Sequence, residues 1–469
     1  MSKPNSTHVI QQWSENKRKI ENEKLKKGNF FMEIKTDLSD MKKVKVTASC
    51  FMGLAHLLYL KDYVKGVFFA VCEVLFIVCI PFIFKKLSGL VTLGSPHPEL
   101  PIKMRDNSVF MLIDGILILA VIAVFVIVYW LSVQSAKKEY SEYCRTGRFK
   151  NQKELFEASM GKSFPIFGLA PAFVMIIVFV VVPLVFSVLV AFTNYSDPSH
   201  IPPNNTVDWV GFQNFVDLLA GQNNWSQGFA RVAIWTLVWA VLSTFTCYFG
   251  GLLVAVFLKE INFHIAPFFR FVFILPYAVP SVVSMLVWKN LLNGSFGIVN
   301  RTLMQIGLIS QPIPWLGTPL MAQFTCVVIN LWAGFGYFML LSMGTMTAIS
   351  EDMNEAAKID GANRRQIFSK ITLPLVLYQT LPLIIMSFAH NVNNFGAIYF
   401  LTNGAPTVAD STTTMAGGTD ILVTWIYKLT VTLMRYNYAS VIAVMIFIVL
   451  APFAIWQFKQ TKAYKEGSL

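Results

Sequence analysis

The stretch Glu355-Ala356-Ala357-Lys358-Ile359-Asp360-Gly361, followed after nine intervening residues by Ile371-Thr372-Leu373-Pro374, decides how the rest of this chain is interpreted. It is short, polar and helix-forming, and it lies between two long apolar runs. Ser350 is a suitable N-cap, and Gly361 is a suitable helix end because glycine adopts left-handed backbone geometry at little cost. We therefore predict an ordered two-helix elbow over residues 350–376 that leaves the membrane and returns to it.

The composition is that of a protein that crosses a membrane several times. Its 469 residues are 55% apolar and only 14% charged, whereas about a quarter of the residues of a soluble domain are charged. Apolar stretches of about 20 residues, the length that spans a bilayer as a helix, predict an all-α polytopic membrane protein with about eight transmembrane helices. The predicted spans are 64–84, 109–133, 166–192, 229–257, 266–288, 321–349, 380–402 and 438–457.

The net charge of +12 is distributed unevenly along the chain. Most of the 38 lysines and arginines fall in alternate loops and at the termini, and the segment 193–228 contains none. This is the positive-inside asymmetry that orients membrane proteins, so the basic excess is an orientation signal and no nucleic-acid partner is predicted. The asymmetry predicts a multi-pass protein of the cell membrane with both termini and the elbow in the cytoplasm.

Three regions are predicted along the chain. Residues 1–63 form a charged cytoplasmic tail that ends in an interfacial helix at 46–63. Residues 64–160 supply two additional spans and a basic cytoplasmic loop, and residues 161–469 form a permease-like core of six spans that contains the elbow.

No residue pattern in the chain has catalytic or metal-binding spacing. Gly161-Lys162-Ser163 resembles the end of a phosphate-binding loop, but Phe156 stands where the first glycine is required. Glu73 and Asp114 lie in the first two predicted spans, where an acid is by default a functional candidate. In a peripheral helix pair we expect both to be structural, either neutral or paired. The sequence therefore predicts a protein that is not an enzyme, with no catalytic residue, no metal site and no cofactor bound by this chain.

Polar side chains mark two of the predicted spans as a candidate binding site. On the sixth span, Asn330, Gly334 and Tyr337 lie at i, i+4 and i+7, on one helical face. On the seventh span, a polar group near the centre places Asn391 and Asn394 on one face with Ile398. The predicted substrate-binding residues are Asn330, Gly334, Tyr337, His390, Asn391 and Asn394, with Asn393 beside them.

Two interpretations of these polar residues remain open. A buried, unpaired amide costs a few kcal/mol in an apolar medium, so the asparagines must face partners or water. Two facing stripes of amides with an aromatic ring suit a sugar, because amides bond to hydroxyls and Tyr337 can stack on a pyranose. Alternatively, the asparagines tie membrane helices together, which is common.

The elbow resembles the coupling loop of permeases from bacterial ATP-binding-cassette importers with the type I fold. From residue 165 onward the resemblance to sugar-importer permeases is continuous, and the segment after the sixth span is similar to the larger permease subunit of the maltose importer. Departures from that subunit occur at Asn330, Ala333 and His390. The segments that carry the resemblance include Leu275-Pro276-Tyr277-Ala278-Val279-Pro280, Asn391-Val392-Asn393-Asn394-Phe395 and Leu401-Thr402-Asn403-Gly404-Ala405-Pro406.

This resemblance implies a non-catalytic translocation subunit for oligosaccharides of the maltose and maltodextrin type. It also implies a second homologous permease, a dimeric ATPase that carries ATP and Mg, and an external sugar-binding protein as partners. Glu355 is expected to pair with an arginine of the ATPase. The coupling residues implied are Glu355, Ala356, Ala357, Gly361, Arg364, Ile371 and Pro374.

Four alternatives are weaker. A permease of the same class could carry another sugar, and the elbow could be an ordinary solvated helix. An ion-coupled secondary transporter would require acids in the core spans and an internal repeat, and neither is evident in the sequence. A membrane enzyme would require a catalytic or metal-binding cluster, and the six histidines are isolated.

Overall fold

A computed structural model of the chain describes residues 40–147, 154, 168–261 and 264–460. Within these residues the regular structure is helical, and the β-structure consists of two isolated bridges, so the predicted all-α class is confirmed. The tail before residue 40, the predicted boundary at 160/161 and Gly161-Lys162-Ser163 lie outside the described residues. All six cysteines are described, and each is free.

The chain divides into two compact units, Met1–Ser95 with Asp106–Phe186, and Pro96–Arg105 with Ser187–Leu469. Helices α1 to α5 begin in the first unit, and α6 to α17 belong to the second. The first set is α1 (40–50), α2 (Leu54–Leu58), α3 (Tyr63–Thr92), α4 (Ser108–Thr146) and α5 (Gly168–Val190). The second set is α6 (Gln213–Leu219), α7 (Asn224–Glu260), α8 (Ala266–Ala278), α9 (Ser281–Leu291), α10 (Ile298–Gln305), α11 (Pro319–Thr347), α12 (Glu351–Ile359), α13 (Arg364–Val392), α14 (Phe395–Thr402), α15 (Ser411–Thr414), α16 (Leu422–Val431) and α17 (Tyr436–Gln460).

Seven of the described helices are long and apolar enough to cross a membrane, or eight if the bent pair α8 and α9 forms one span. The predicted number of spans is therefore confirmed, but the fifth predicted span is not one kinked helix. Its two parts meet at 91°. Val279 is extended (φ −80°, ψ 132°) because a following proline disfavours helical geometry, and Pro280 becomes the N-cap of α9.

The seventh predicted span, 380–402, is wrong at both ends. The helix begins at Arg364 and stops at Val392, and a separate helix follows. The Asn394 side chain accepts a hydrogen bond from the Ala397 amide at 3.2 Å, so it caps α14. The polar group therefore marks a junction between helices, and the continuous face predicted through Asn391, Asn394 and Ile398 does not exist.

The two acids in the first unit have structural partners. Asp114 forms an ion pair with Lys86 at 2.5 Å, as expected for a paired intramembrane acid. Glu73 accepts a hydrogen bond from the Met52 amide. Both contacts tie elements of the first unit together, and the structural role of the two acids stays a prediction.

The predicted interfacial helix at 46–63 is instead two short helices that pack in the first unit. Gly53, between them, has φ +81°, and a Cβ there would lie 2.1 Å from the Gly66 carbonyl oxygen, so only glycine fits. Val44 and Ala48 pack in one cluster with Ala136 of α4. His56 on α2 is fully buried, and burial lowers its pKa to about 4, so it is neutral at pH 7.

Helices α5 and α13 each contain one π-turn shortly before a proline. The turns are Ile177–Val181 before Pro183 and Phe368–Thr372 before Pro374. In each, the amide that follows the turn donates to the carbonyl five residues earlier. Because a proline ring clashes with the carbonyl four residues before it in an α-helix, the wider turn relieves that clash.

Candidate functional site

Helix α7 is the common support of the candidate site. Ser243, Cys247 and Gly251 recur at four-residue spacing along it, a pattern of small residues that lets membrane helices approach closely. A Cβ on Gly251 would lie 2.5 Å from the Phe335 carbonyl oxygen of α11. The backbones of α7 and α11 are therefore in contact at Gly251. Any larger residue at this position would push the two helices apart.

Two of the three candidates on α11 pack against this support. The Asn330 amide nitrogen lies 3.6 Å from the Cys247 sulfur. A Cβ on Gly334 would lie 2.9 Å from the same sulfur. The space beside Gly334 is thus filled by Cys247, and both residues contribute to helix packing in this structure.

Tyr337 is the more open candidate on α11. Its side chain is 37% exposed, and its ring centroid lies 5.5 Å from that of Tyr277 on α8. Tyr277 is 54% exposed. Sequence reasoning did not select it, although its place between Pro276 and Pro280, at a helix break, was a usable signal. The two rings offer aromatic surface of the kind that packs on the apolar face of a sugar.

At the junction after α13, one polar residue is buried and packs against α7, while two others are exposed. Asn391 is 4% exposed, and its amide donates to the Thr244 hydroxyl at 3.0 Å. Its carbonyl accepts from the Trp239 indole at 3.1 Å. His390 and Asn393 are exposed. Asn391 thus fastens α13 to α7, while the exposed pair can meet water or a ligand.

One stretch of α7 therefore contacts three of the predicted residues, Asn330 and Gly334 of α11 and Asn391 of α13. Thr244 and Cys247, which hold Asn391 and Asn330, are three residues apart on that helix. The predicted sugar contacts at Asn330, Gly334 and Asn391 stay predictions, since each of these residues has a protein neighbour here. Helix α7 was predicted as the span 229–257, but its role as the support of these residues was missed, although its small residues recur every four positions.

The first helix of the elbow, α12, is capped at both ends by residues of the elbow itself. The Ser350 hydroxyl accepts from the Asp352 amide at 3.3 Å, as predicted for an N-cap. Gly361 has φ +83°. The next amide, of Ala362, donates to the Ala357 carbonyl at 2.9 Å, and the Gly361 amide donates to the Lys358 carbonyl at 3.1 Å. These two hydrogen bonds form a Schellman motif, so glycine ends α12 as predicted.

The second helix of the elbow begins with a reciprocal cap. The Gln366 amide donates to the Asn363 side chain at 2.9 Å, and the Asn363 amide donates to the Gln366 side chain at 2.8 Å. These bonds satisfy amides that an unaided helix start would leave free. The elbow therefore holds a defined shape through local contacts.

The elbow presents its side chains outward. Ile359 is 85% exposed, an unusual exposure for a large apolar residue, and sequence reasoning did not select it. Glu355 makes no ion pair within the described part of the chain. Of the predicted coupling residues, Glu355, Ala356, Gly361, Arg364 and Pro374 are exposed, and Ala357 and Ile371 are half-buried.

The loop of residues 403–420 is held by two ion pairs that the sequence did not reveal, one partly buried and one more deeply buried. Arg231 of α7 pairs with Asp410 at 2.7 Å. Its guanidinium also donates to the carbonyls of Ala416 and Gly417, at 2.8 and 2.7 Å. These three contacts from one side chain fix the loop to α7.

The second ion pair of this loop is more deeply buried. Asp420 is 0% exposed and lies 2.6 Å from the Lys428 ammonium of α16. The same carboxylate accepts from the Gly417 amide at 2.7 Å and from the Thr424 hydroxyl at 2.8 Å. Gly404 has φ +77°, and a Cβ there would lie 2.1 Å from this carboxylate, so the site requires glycine.

Comparisons with known proteins agree with a membrane transport component. The family model for a binding-protein-dependent transport system inner membrane component matches residues 247–459. The chain is 34% identical over 429 residues to the galactooligosaccharides transport system permease protein GanP of Bacillus subtilis (strain 168), which covers 91% of this chain and 99% of that protein. It is 32% identical over 409 residues to the maltodextrin transport system permease protein MdxF of the same organism, covering 85% and 91%.

A solved structure shares the fold. The crystal structure of a bacterial alginate ABC transporter in complex with an alginate pentasaccharide-bound periplasmic protein contains a similar chain, with a TM-score of 0.52 at 21% identity. The match covers 66% of this chain and 98% of that chain. At this identity the likeness concerns the fold alone.

Proposed function

Because this chain belongs to the family of binding-protein-dependent transport system inner membrane components, we propose that it forms the path for maltodextrin-type oligosaccharides in an ATP-driven importer. Like these relatives, it is a transport permease subunit and not a catalytic subunit. The observation that carries the proposal is the 34% identity to an oligosaccharide permease over 91% of the chain.

The substrate is proposed as an oligosaccharide of glucose. The maltodextrin permease at 32% identity and the resemblance around Asn391 and Gly404 support this choice. A galactooligosaccharide is the second candidate, because the relative at 34% identity is named for that sugar. The exposed groups Tyr337, Tyr277 and His390 are the side chains we expect to touch the sugar first.

The energy source is proposed to be a separate ATPase that grips the elbow from the cytoplasm. The capped, exposed shape of the elbow supports this role, since a rigid segment can transmit a rotation that a loose tether would absorb. Glu355, without an ion pair in the described part of the chain, is available to an arginine of the ATPase. A second permease, an ATPase dimer with ATP and Mg, and an external sugar-binding protein complete the proposed assembly.

Reconstitution in vesicles tests this function. The chain is co-purified with its subunits, and uptake of labelled maltotriose and galactotriose is measured with ATP inside the vesicles. We expect ATP-dependent uptake that needs the external binding protein and favours maltotriose. Uptake that runs on a proton gradient without ATP would contradict the proposal, and preference for galactotriose would select the second candidate.

A further inference from the structure

A cavity of about 200 Å³ opens where three helices of the second unit end, next to the elbow. The last turn of α7, the first turns of α8 and the last turns of α11 line it. Thr347, one of the lining residues, is four residues before Glu351, where α12 begins. The cavity therefore lies on the same side of the membrane as the elbow.

Two positively charged side chains line this cavity and have no acidic partner among the residues that the structure describes. Lys259 and Arg270 are both exposed, and neither forms an ion pair or a side-chain hydrogen bond within the described residues. Glu260, the acid next to Lys259, does not line the cavity. Two unpaired cations at one opening form a site for a doubly hydrogen-bonding anion, because a guanidinium fork matches phosphate geometry and an ammonium adds a point charge.

The rest of the lining is apolar. Leu258 and Met346 are each 2% exposed and form part of the wall, and Ile261 lies at the edge with 40% exposure. On α8, Phe268 and Phe271 lie within two residues of Arg270 in the sequence, outside the cavity lining, and are 64% and 63% exposed. A ligand with a charged head and a hydrocarbon body would satisfy both the cations and this apolar surface.

We propose that this cavity binds the phosphate group of an anionic phospholipid, with Lys259 and Arg270 on the headgroup and the acyl chains along the exposed phenylalanines of α8. Basic pockets between membrane helices on the cytoplasmic side suit such headgroups. The bound lipid bridges the ends of α7, α8 and α11, and so braces the base of the elbow. The site does not depend on which sugar the protein carries.

Lipid binding to the full chain, purified with its subunits in a neutral detergent, tests the proposal. The probes are phosphatidylglycerol, phosphatidylcholine and inorganic phosphate, and the readout is the apparent Kd of each by native mass spectrometry or by thermal shift. Wild-type protein is expected to prefer phosphatidylglycerol. The double variant Lys259→Gln/Arg270→Gln is expected to bind it about 30-fold more weakly, since each basic residue strengthens binding to anionic lipid by roughly fivefold.

Matched variants separate the site from general charge and from misfolding. Lys289→Gln/Arg301→Gln removes two exposed cations that do not line the cavity, and it is expected to bind as wild type does. The exchange Lys259→Arg/Arg270→Lys keeps both charges and is expected to retain most of the affinity. Equal loss in both glutamine variants, or no loss in Lys259→Gln/Arg270→Gln, would overturn the proposal. Inorganic phosphate that binds as tightly as the lipid would overturn the lipid assignment.

Discussion

The elbow and the 403–420 loop both join helices of the second unit, yet they are held in opposite ways. The elbow closes its helix ends with its own residues, such as Ser350 and Gly361, and leaves its side chains exposed. The 403–420 loop pairs the partly buried Asp410 and the buried Asp420 with cations of α7 and α16. The elbow thus keeps a free surface for the partner proposed above, whereas the 403–420 loop uses its acids in ion pairs that fix it to neighbouring helices.

The comparison predicts that changes in the 403–420 loop act on stability and that changes in the elbow act on coupling. The expected cost in the free energy of unfolding falls in the order Asp420, Arg231, Gly361 and Glu355. Each substitution below therefore tests whether the two segments are as different as their contacts indicate.

Asp420→Asn is expected to have the largest effect on stability. It keeps the shape of the side chain but leaves the Lys428 ammonium, which is only 13% exposed, without its counter-charge. Removing one partner of a buried pair costs about 3–5 kcal/mol. Thermal unfolding of the purified assembly measures the loss. The double variant Asp420→Asn/Lys428→Met should recover part of it, and a double variant no more stable than the single one would contradict this account.

Arg231→Met is expected to cost less, about 2 kcal/mol, because charge-assisted hydrogen bonds are lost at a side chain that is still 30% exposed and screened by water. The same unfolding measurement applies. Arg231→Lys keeps the charge but not the fork that reaches Asp410 and two carbonyls, so it should lose about half as much. Full stability in Arg231→Met would show that the loop is held by other contacts.

Gly361→Ala is expected to cost about 1 kcal/mol through backbone strain alone. No atom lies within 4 Å of the added methyl group, but φ is +83°. Gly344→Ala in α11 is the matched control, because its methyl group also meets nothing and its φ is not left-handed. Sugar uptake and thermal unfolding are compared for the two variants. Uptake should fall only for Gly361→Ala, and equal behaviour of the two would remove the role of the capped turn.

Glu355→Lys is expected to change stability by less than about 0.5 kcal/mol, since it is an exposed surface position. Uptake and stimulated ATP hydrolysis should nevertheless drop at least tenfold if Glu355 meets a cation of the ATPase. Glu99→Lys reverses the charge of another exposed acid, outside the elbow, and should leave both activities unchanged. Normal uptake by Glu355→Lys would break the link between exposure and coupling.

The same contrast explains which features the sequence could predict. The ends of α12 were predicted correctly because their causes are local, a hydroxyl two residues before its amide and a glycine in left-handed geometry. The pairing of Arg231 with Asp410 was missed, because the two residues are 179 positions apart and no pattern connects them.

The junction at Asn393 is a feature that the sequence signalled but that was interpreted wrongly. A run of polar residues inside an apolar stretch is compatible with a binding stripe and with a helix boundary, and hydropathy alone favours the stripe. The capping bond from Ala397 to Asn394 decides for the boundary. The number of spans was predictable from length and apolarity, whereas the break before Pro280 needed the φ and ψ values of Val279. The sugar contacts stay predictions.

The π-turn near the start of α13 sets the angle at which the far end of that helix faces its neighbours. Each π-turn holds one residue more than an α-turn, so forcing Phe368–Thr372 into α geometry without shortening the chain would rotate everything beyond it by about 100° around the axis. Asn391 would then swing away from the Thr244 hydroxyl, which now lies 3.0 Å from its amide nitrogen. The wide turn thus absorbs one residue and keeps a hydrogen bond aligned some twenty positions further along, and deleting a residue within the turn should leave that bond in place.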